Sequence, residues 1–291
     1  NNEQFDPDTL MLWAQSRHIL GRDSEFLNII NQAIAMYPWF LPALADKALL
    51  LASEGEWEQA LDTAQRLLDV DAENIDALKV IAVHAFTQES HTHDAVQKLE
   101  DLDNSVKARE SNAIDTAVEL AALFSCICAR QPRALQICVR MLERAGKLAS
   151  ERSTDAKCAV VYCQLGNTLI LQGVMQYERA MKAFREATRR DPNSAAALQG
   201  MILCQCYEGQ IEDAESQIGL LTVMHTPEDL GYEFAYLQSL LLRGRKDQKK
   251  EHLRALTVCR DMFLQRKESG NTSKNNIDLN AATPALKTYL D

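Results

Sequence analysis

Glycine and proline are scarce in this chain, 11 and 7 of 291 residues, and runs of β-branched side chains are few. That shortage excludes a turn-rich β fold and leaves a chain of helix formers. No apolar run approaches the roughly 18 residues that a membrane-spanning helix needs, so no transmembrane segment is expected. There is no glycine-rich phosphate loop, no nucleophile elbow and no His-Glu-x-x-His helix. Catalysis therefore has no foothold, and no enzyme activity, cofactor or metal is expected. Cations are scarce where the chain starts: residues 1–100 hold 17 acidic and 6 basic side chains, leaving the other 191 residues close to neutral. Nucleic acid is excluded as a partner, because non-specific binding needs a basic stripe that displaces counterions. The acid either keeps the first third soluble or faces a basic protein. The net charge of the whole chain is −10.

What is present is a beat of 34 residues. Leu10, Leu44 and Leu78 keep it, as do Ala14, Ala48 and Ala82, and Gly21 with Gly55. Pro38 closes one unit where Ala72 closes the next. That period, with a small residue midway through a first helix, is the signature of tetratricopeptide repeats. The expected fold is all-α: a solenoid of about seven helix pairs over residues 1–267, wound as a right-handed superhelix with a concave groove. Its usual work is to hold other proteins. The chain has no initiator Met and neither end offers a polar cap, which suggests a segment of something longer.

The first unit, about 7–40, places Leu10, Trp13 and Ala14 on one face, then Phe26, Ile30 and Ala33. The second, 41–74, repeats this with Leu44, Ala48, Leu51, Gly55, Trp57, Ala60 and Leu67. The third begins in phase at Leu78, Ile81 and Ala82, gains a residue in the polar turn Ser90–His93, and continues with Ala95, Leu99 and Leu102. Phase is then lost through a polar stretch, Asp103 to Asn112, before a degenerate pair over 113–149. The clearest match, counted sixth, pairs Tyr162, Leu165, Gly166 and Leu169 with Tyr177, Ala180, Phe184, Ala187 and Pro192, given two extra residues in the turn after Gly173. A further unit holds Leu198, Gly209, Ile211, Ala214, Ile218 and Leu221, and a weaker pair spans 228–244 and 247–267. Residues 268–291 read as a polar linker or the start of another repeat.

The repeat-packing positions are thus Ala48, Gly55, Ala60, Gly166, Ala180, Pro192, Gly209 and Ala214, with small residues required where paired helices cross closely. Eight cysteines, at 126, 128, 138, 158, 163, 204, 206 and 259, lie mostly in apolar helical stretches with no secretory signal before them. They read as reduced packing residues of a cytosolic protein. Neither Cys126 with Cys128 nor Cys204 with Cys206 can chelate from a helix, since residues two apart point in different directions. His91 and His93 sit in a solvated turn with no further ligand nearby. The one dense basic run is Arg243, Arg245, Lys246, Lys249, Lys250 and Arg254, which reads either as a surface patch for an acidic peptide, a phosphoinositide head group or a neighbour's acidic face, or as an exposed helix–helix turn, since Asp247 and Glu251 interleave.

In tetratricopeptide proteins, positions 2, 5, 9 and 12 of each first helix face the groove. The resemblance assigns Pro42, Ala45, Leu49 and Ala52, then Asp76, Lys79, Val83 and Phe86, then Val160, Cys163, Asn167 and Ile170. Lys79, Phe86 and Asn167 are the candidate groove contacts. A clamp for a peptide's terminal carboxylate needs several cations, which this set lacks, so an apolar groove for structural assembly is expected. Several stretches resemble one family in particular: Tyr37–Leu44, Thr63–Leu68, Leu165 to Gly173 and, best, Ala195–Ala214. They are similar to the tetratricopeptide-repeat protein 21 family, the large repeat subunit of intraflagellar transport complex A. The resemblance extends in order over about 5–265, degenerate pair included. It implies a non-enzymatic scaffold in retrograde ciliary transport and ciliary entry of membrane cargo, working in the cytoplasm and cilium. The implied partners are other complex A subunits and cargo adaptors. The rival reading is a generic adaptor that binds short peptide motifs of client proteins.

Overall fold

The computed structural model describes residues 6–88, 93–110, 112–243 and 248–270. Among the described residues there are fourteen α-helices and no strand, so the helices form seven successive pairs. They fall into two compact units, the first reaching Glu110 and the second running from there to Gly270.

The first unit holds α1 (Pro7–Ile19), α2 (Asp23–Met36), α3 (Leu41–Glu54), α4 (Trp57–Val70), α5 (Ile75–Thr87) and α6 (His93–Arg109). Each helix packs on the next, and α3 also packs on α5. The 34-residue beat is the packing rule: Ala14, Ala48 and Ala82 are all fully buried, as are Ala33, Ala60 and Leu67 on the second helices. Gly55 caps α3 at φ +82°, with its own N–H on the Ala52 carbonyl and the next N–H on that of Leu51. That left-handed cap satisfies end carbonyls and reverses the chain, which is why glycine recurs there. At the other turn Asn74 takes the Ala77 N–H at 3.0 Å and starts α5, a side-chain cap that replaces a missing helical acceptor.

Two expectations change in this unit. Trp13 is 44% exposed, because α1 turns Leu10, Met11 and Ala14 onto α2 and leaves the indole outside. Arg17 lies over that ring, 5.9 Å from its centre. The polar stretch from Asp103 is helix up to Arg109. Leu99, Leu102 and Val106 keep an apolar stripe at helical spacing and are buried, and Arg109 ties down the last turn by forking onto Asp71 at 2.6 and 2.7 Å and reaching Glu73 at 3.1 Å. That guanidinium holds the Asp71 carboxyl below its ordinary range. Ser90, His91 and Thr92 lie outside the described residues, and His93 opens α6.

The second unit holds α7 (Ile114–Ile127), α8 (Pro132–Arg152), α9 (Asp155–Leu171), α10 (Tyr177–Arg190), α11 (Ala195–Glu208), α12 (Ile211–Met224), α13 (Pro227–Arg243) and α14 (Lys249–Gly270). The first helices touch one another in series, α7 on α9, α9 on α11 and α11 on α13, and so form the inner layer. The pair counted sixth is the fifth in order. Its extra turn residues form a single 3-10 turn, Val174–Gln176. The pair over 113–149 departs from the repeat at its turn, which lacks glycine: Ala129 and Arg130 take φ of +45° and +61° instead. Gly231, at φ +68°, breaks α13 near its start. Helix α14 continues to Gly270, past the point where the sequence turns polar, and residues 271–291 lie outside the described residues.

Candidate protein-docking surfaces

The inner layer of the second unit carries two hollows. One lies between α7 and α9, where Val118, Ala122, Val160 and Val161 make the floor. Asp115, Glu119 and Lys157 stand at its rim, with the Lys157 ammonium 2.8 Å from Asp115. The other is framed by α9, α11 and α13, with Ala196, Gly200, Leu203 and Leu237 beside Asn167, Gln199, Glu233 and Tyr236. Gln199 donates to the Leu230 carbonyl at 3.1 Å, which fixes its amide along the wall. Apolar floors with polar rims suit a partner's packed side chains better than a charged small molecule.

Of the groove residues expected from sequence, Val160 is exposed and Asn167 half-buried, each in a hollow. Lys79 is half-buried on α5. Phe86 is a correction: it is 2% exposed and belongs to the core, as do Ala45, Val83, Cys163 and Ile170. These helices are gripped on more than one side, α5 by α3, α4 and α6, and α9 by α7, α8, α10 and α11. The accessible line along α9 is therefore the narrower one through Lys157, Val160, Gln164 and Asn167.

The packing positions divide into four kinds. Ala48, Ala60, Ala180 and Ala214 are fully buried between helices. Gly55 and Gly209 have φ of +82° and +79° with open space where a Cβ would stand, so backbone conformation and not close crossing demands glycine there. Pro192 is exposed, in the turn after α10, and punctuates without packing. Gly166 is a true close crossing, since a Cβ there would stand 2.6 Å from the Phe184 ring. The sequence reading missed Gly200 on α11, where a Cβ would meet the same Cε1 and Cζ of that ring, closer still. The signal was available: Gly166 and Gly200 are 34 residues apart.

The cysteines are packing residues in the structure: six are buried, and Cys126 and Cys206 are half-buried. Burial pushes the Cys128 and Cys163 thiols up to about 11 and Cys204 to about 12, which keeps them protonated and unreactive at neutral pH. Among the described residues no three His, Cys, Asp or Glu side chains gather as a metal site requires. None of the described helices is long and apolar enough to cross a membrane.

Arg243, Lys249 and Lys250 are exposed at the facing ends of α13 and α14; Arg245 and Lys246 lie outside the described residues. A second basic surface, dispersed in the sequence, is assembled by the fold. On the outer helices α8 and α10, Arg133, Arg140, Lys147, Arg179, Lys182, Arg185 and Arg189 are all exposed. Arg179 bonds Glu143 at 2.8 Å and so ties α10 to α8. Glu186 is held down to about 2 by Arg189 first and then Arg190, and Arg190 also reaches Asp155 at 3.0 Å.

Successive antiparallel helix pairs, with first helices stacked inside and glycine-capped turns, define a helical-repeat protein of the tetratricopeptide class. Known structures agree on the fold. A tetratricopeptide repeat protein from Parabacteroides merdae superposes with a TM-score of 0.58 at 12% identity, over 98% of this chain and 97% of that one. Yeast Tom70 gives 0.52 at 14% identity, over 86% of this chain and 50% of that one. The family model described as the tetratricopeptide repeat protein 21 second ARM domain matches residues 97–274. Tetratricopeptide repeat protein 21B from Homo sapiens is 32% identical over 263 residues, 90% of this chain and 19% of that protein. Tetratricopeptide repeat protein 21A from Mus musculus is 28% identical over 250 residues, 85% of this chain and 18% of that protein. This chain belongs to the tetratricopeptide repeat protein 21 family, and it spans about a fifth of the length of these relatives.

Proposed function

We propose that this chain is part of a non-enzymatic scaffold, the large repeat subunit of intraflagellar transport complex A, in retrograde ciliary transport and the ciliary entry of membrane cargo. Membership of the tetratricopeptide repeat protein 21 family is the observation that carries the reading. The inner layer supports it: its hollows have apolar floors and polar rims, suited to lasting contact between subunits by shape. Transient capture of a peptide's carboxylate would need several cations there, and Lys157 is already paired with Asp115. The partners are other complex A subunits and cargo adaptors, met in the cytoplasm, at the ciliary base and along the axoneme.

The test is affinity purification of this chain from ciliated cells, with co-purifying proteins identified by mass spectrometry. Complex A subunits in near-stoichiometric amounts are the expected result. Recovery of chaperones or scattered peptide-bearing clients in their place overturns the reading.

A further inference from the structure

The outer layer of the second unit carries charge of one sign. Helices α8 and α10 each hold five basic and two acidic side chains, +3 apiece, in a chain whose net charge is −10. Arg133, Arg140 and Lys147 recur every seven residues and all are exposed, so they line one face of α8 over about 21 Å. Lys182, Arg185 and Arg189 do the same on α10 at spacings of three and four. The Arg179–Glu143 bond ties the start of α10 to the middle of α8.

Three of the four acids on these helices are already engaged, and the fourth, Glu151, is exposed near the end of α8. Glu143 holds Arg179, Glu178 holds Lys182 at 2.7 Å, and Glu186 holds both Arg189 and Arg190. Arg133, Lys147 and Arg185 make no ion pair among the described residues. An ordinary solvated helix face interleaves signs; here the net charge left over is positive. Eight of the ten cations are arginines, whose planar fork matches a carboxylate in two parallel hydrogen bonds.

The surroundings favour one class of partner. A bilayer-binding surface sets apolar side chains among its cations, but apart from Pro132 the other exposed residues of α8 and α10 are polar, Gln136, Glu143, Ser150, Glu151 and Glu178, and the exposed Val174 and Met175 lie in the turn before α10. A long nucleic acid would meet the repulsion of the chain's overall −10. A short run of carboxylates at helical spacing meets only the local charge.

We propose that the outer face of α8 and α10 docks an Asp/Glu-rich helical segment of a partner protein, its carboxylates taken by Arg133, Lys147 and Arg185. The proposal rests on the scaffold reading and gives that scaffold a second, electrostatic contact beside its apolar inner layer. The probe is a fluorescein-labelled helical peptide of about five turns with Glu on one face, titrated with the 291-residue chain by anisotropy. Binding that weakens with salt is expected, together with a loss of at least about tenfold in the Arg133→Glu, Lys147→Glu, Arg185→Glu triple variant. The neutral triple Gln variant should lose less, and Lys249→Glu with Lys250→Glu should change nothing; helical circular dichroism confirms that each variant is folded. Undiminished binding by the triple variant overturns the proposal. So does tighter binding, at the same salt and through the same residues, of phosphatidylserine vesicles or duplex DNA. Failure here is separable from failure of the scaffold: a triple variant that binds the peptide normally and still recovers complex A subunits removes the face alone. A wild-type chain that recovers no subunits, yet binds the peptide through these three cations, removes the scaffold reading alone.

Discussion

The Phe184 ring is closely approached by two glycines, Gly166 and Gly200, and it sets up a test in which one substitution changes sign. Replacing glycine by alanine inside a helix normally stabilises by about 0.5–1 kcal/mol, through lost unfolded-chain freedom. At Gly166 the added methyl would stand 2.6 Å from Cε1 and Cζ of Phe184 and 2.8 Å from Cε2, about 1 Å inside an ordinary carbon–carbon contact. The ring is fully buried, and Gly200 presses on it as well, so it has no room to retreat. Over-packing of this kind costs about 1–3 kcal/mol, which outweighs the propensity gain. Gly166→Ala is therefore expected to destabilise by up to about 2 kcal/mol, and Gly166→Leu by more. Phe184→Ala alone should cost about 3–5 kcal/mol by opening a cavity. In that background Gly166→Ala has no ring to strike and should stabilise by about 0.5–1 kcal/mol. The assay is urea unfolding of the four proteins followed by helical circular dichroism, read as a double-mutant cycle. If Gly166→Ala acts equally in both backgrounds, or stabilises the wild type, the close-crossing argument is wrong.

Gly55→Ala and Gly209→Ala should each destabilise by about 1–2 kcal/mol from backbone strain alone, with Asn replacements losing less, as thermal melts would show; no loss would mean the caps relax out of the left-handed region. The opposite holds at the turn between α7 and α8, where Ala129 sits at φ +45°: Ala129→Gly should raise the urea midpoint, by up to about 1 kcal/mol in stability, and a lowered midpoint refutes this. Glu186→Gln should cost about 1 kcal/mol at pH 7, the screened worth of a partly exposed ion pair. Its folded-state carboxyl is held at about 2, below the ordinary value of 4.5, so the wild-type advantage is complete above about pH 4.5 and is lost as pH falls through about 2. A gap between the two proteins that widens on acidification contradicts the assignment.

The sequence revealed what the chain repeats and hid what only stacking assembles. Leu10, Ala14, Ala48, Ala82 and Gly166 were readable because one helix pair, closed by its own turn, dictates those positions at a fixed period. The inner surface was harder. Which side of α9 stays open depends on how many neighbours grip it, and α7, α8, α10 and α11 together cover Cys163 and Ile170 while leaving Lys157, Val160 and Asn167. Phe86 was misplaced for the same reason. The outer basic surface was invisible to a search for dense runs, because Arg133, Arg140 and Lys147 come once per two turns and meet Lys182 and Arg185 only when α10 is laid beside α8. Linear density picked out the run near Arg243–Arg254, which is close in sequence, and passed over charges brought together by the fold.

The two layers of the second unit also differ in what they can tolerate, and that bears on how such a scaffold holds its partners. Phe184 stands on the outer helix α10 yet packs against Gly166 on α9 and Gly200 on α11, and Gly200 lines an inner hollow. Close-packed interiors transmit displacement instead of absorbing it, so α9, α10 and α11 are constrained to shift together around that ring. The inner hollow thus keeps its shape only while the ring keeps its seat. Arg179 and Arg190, bonded to Glu143 on α8 and Asp155 on α9, fasten α10 near both its ends. Each of these exposed pairs is weak alone, but together they restrain the helix that holds the ring. A docking surface made of apolar hollows depends on such restraint, because complementarity of shape is lost with movements that a salt bridge in water would follow.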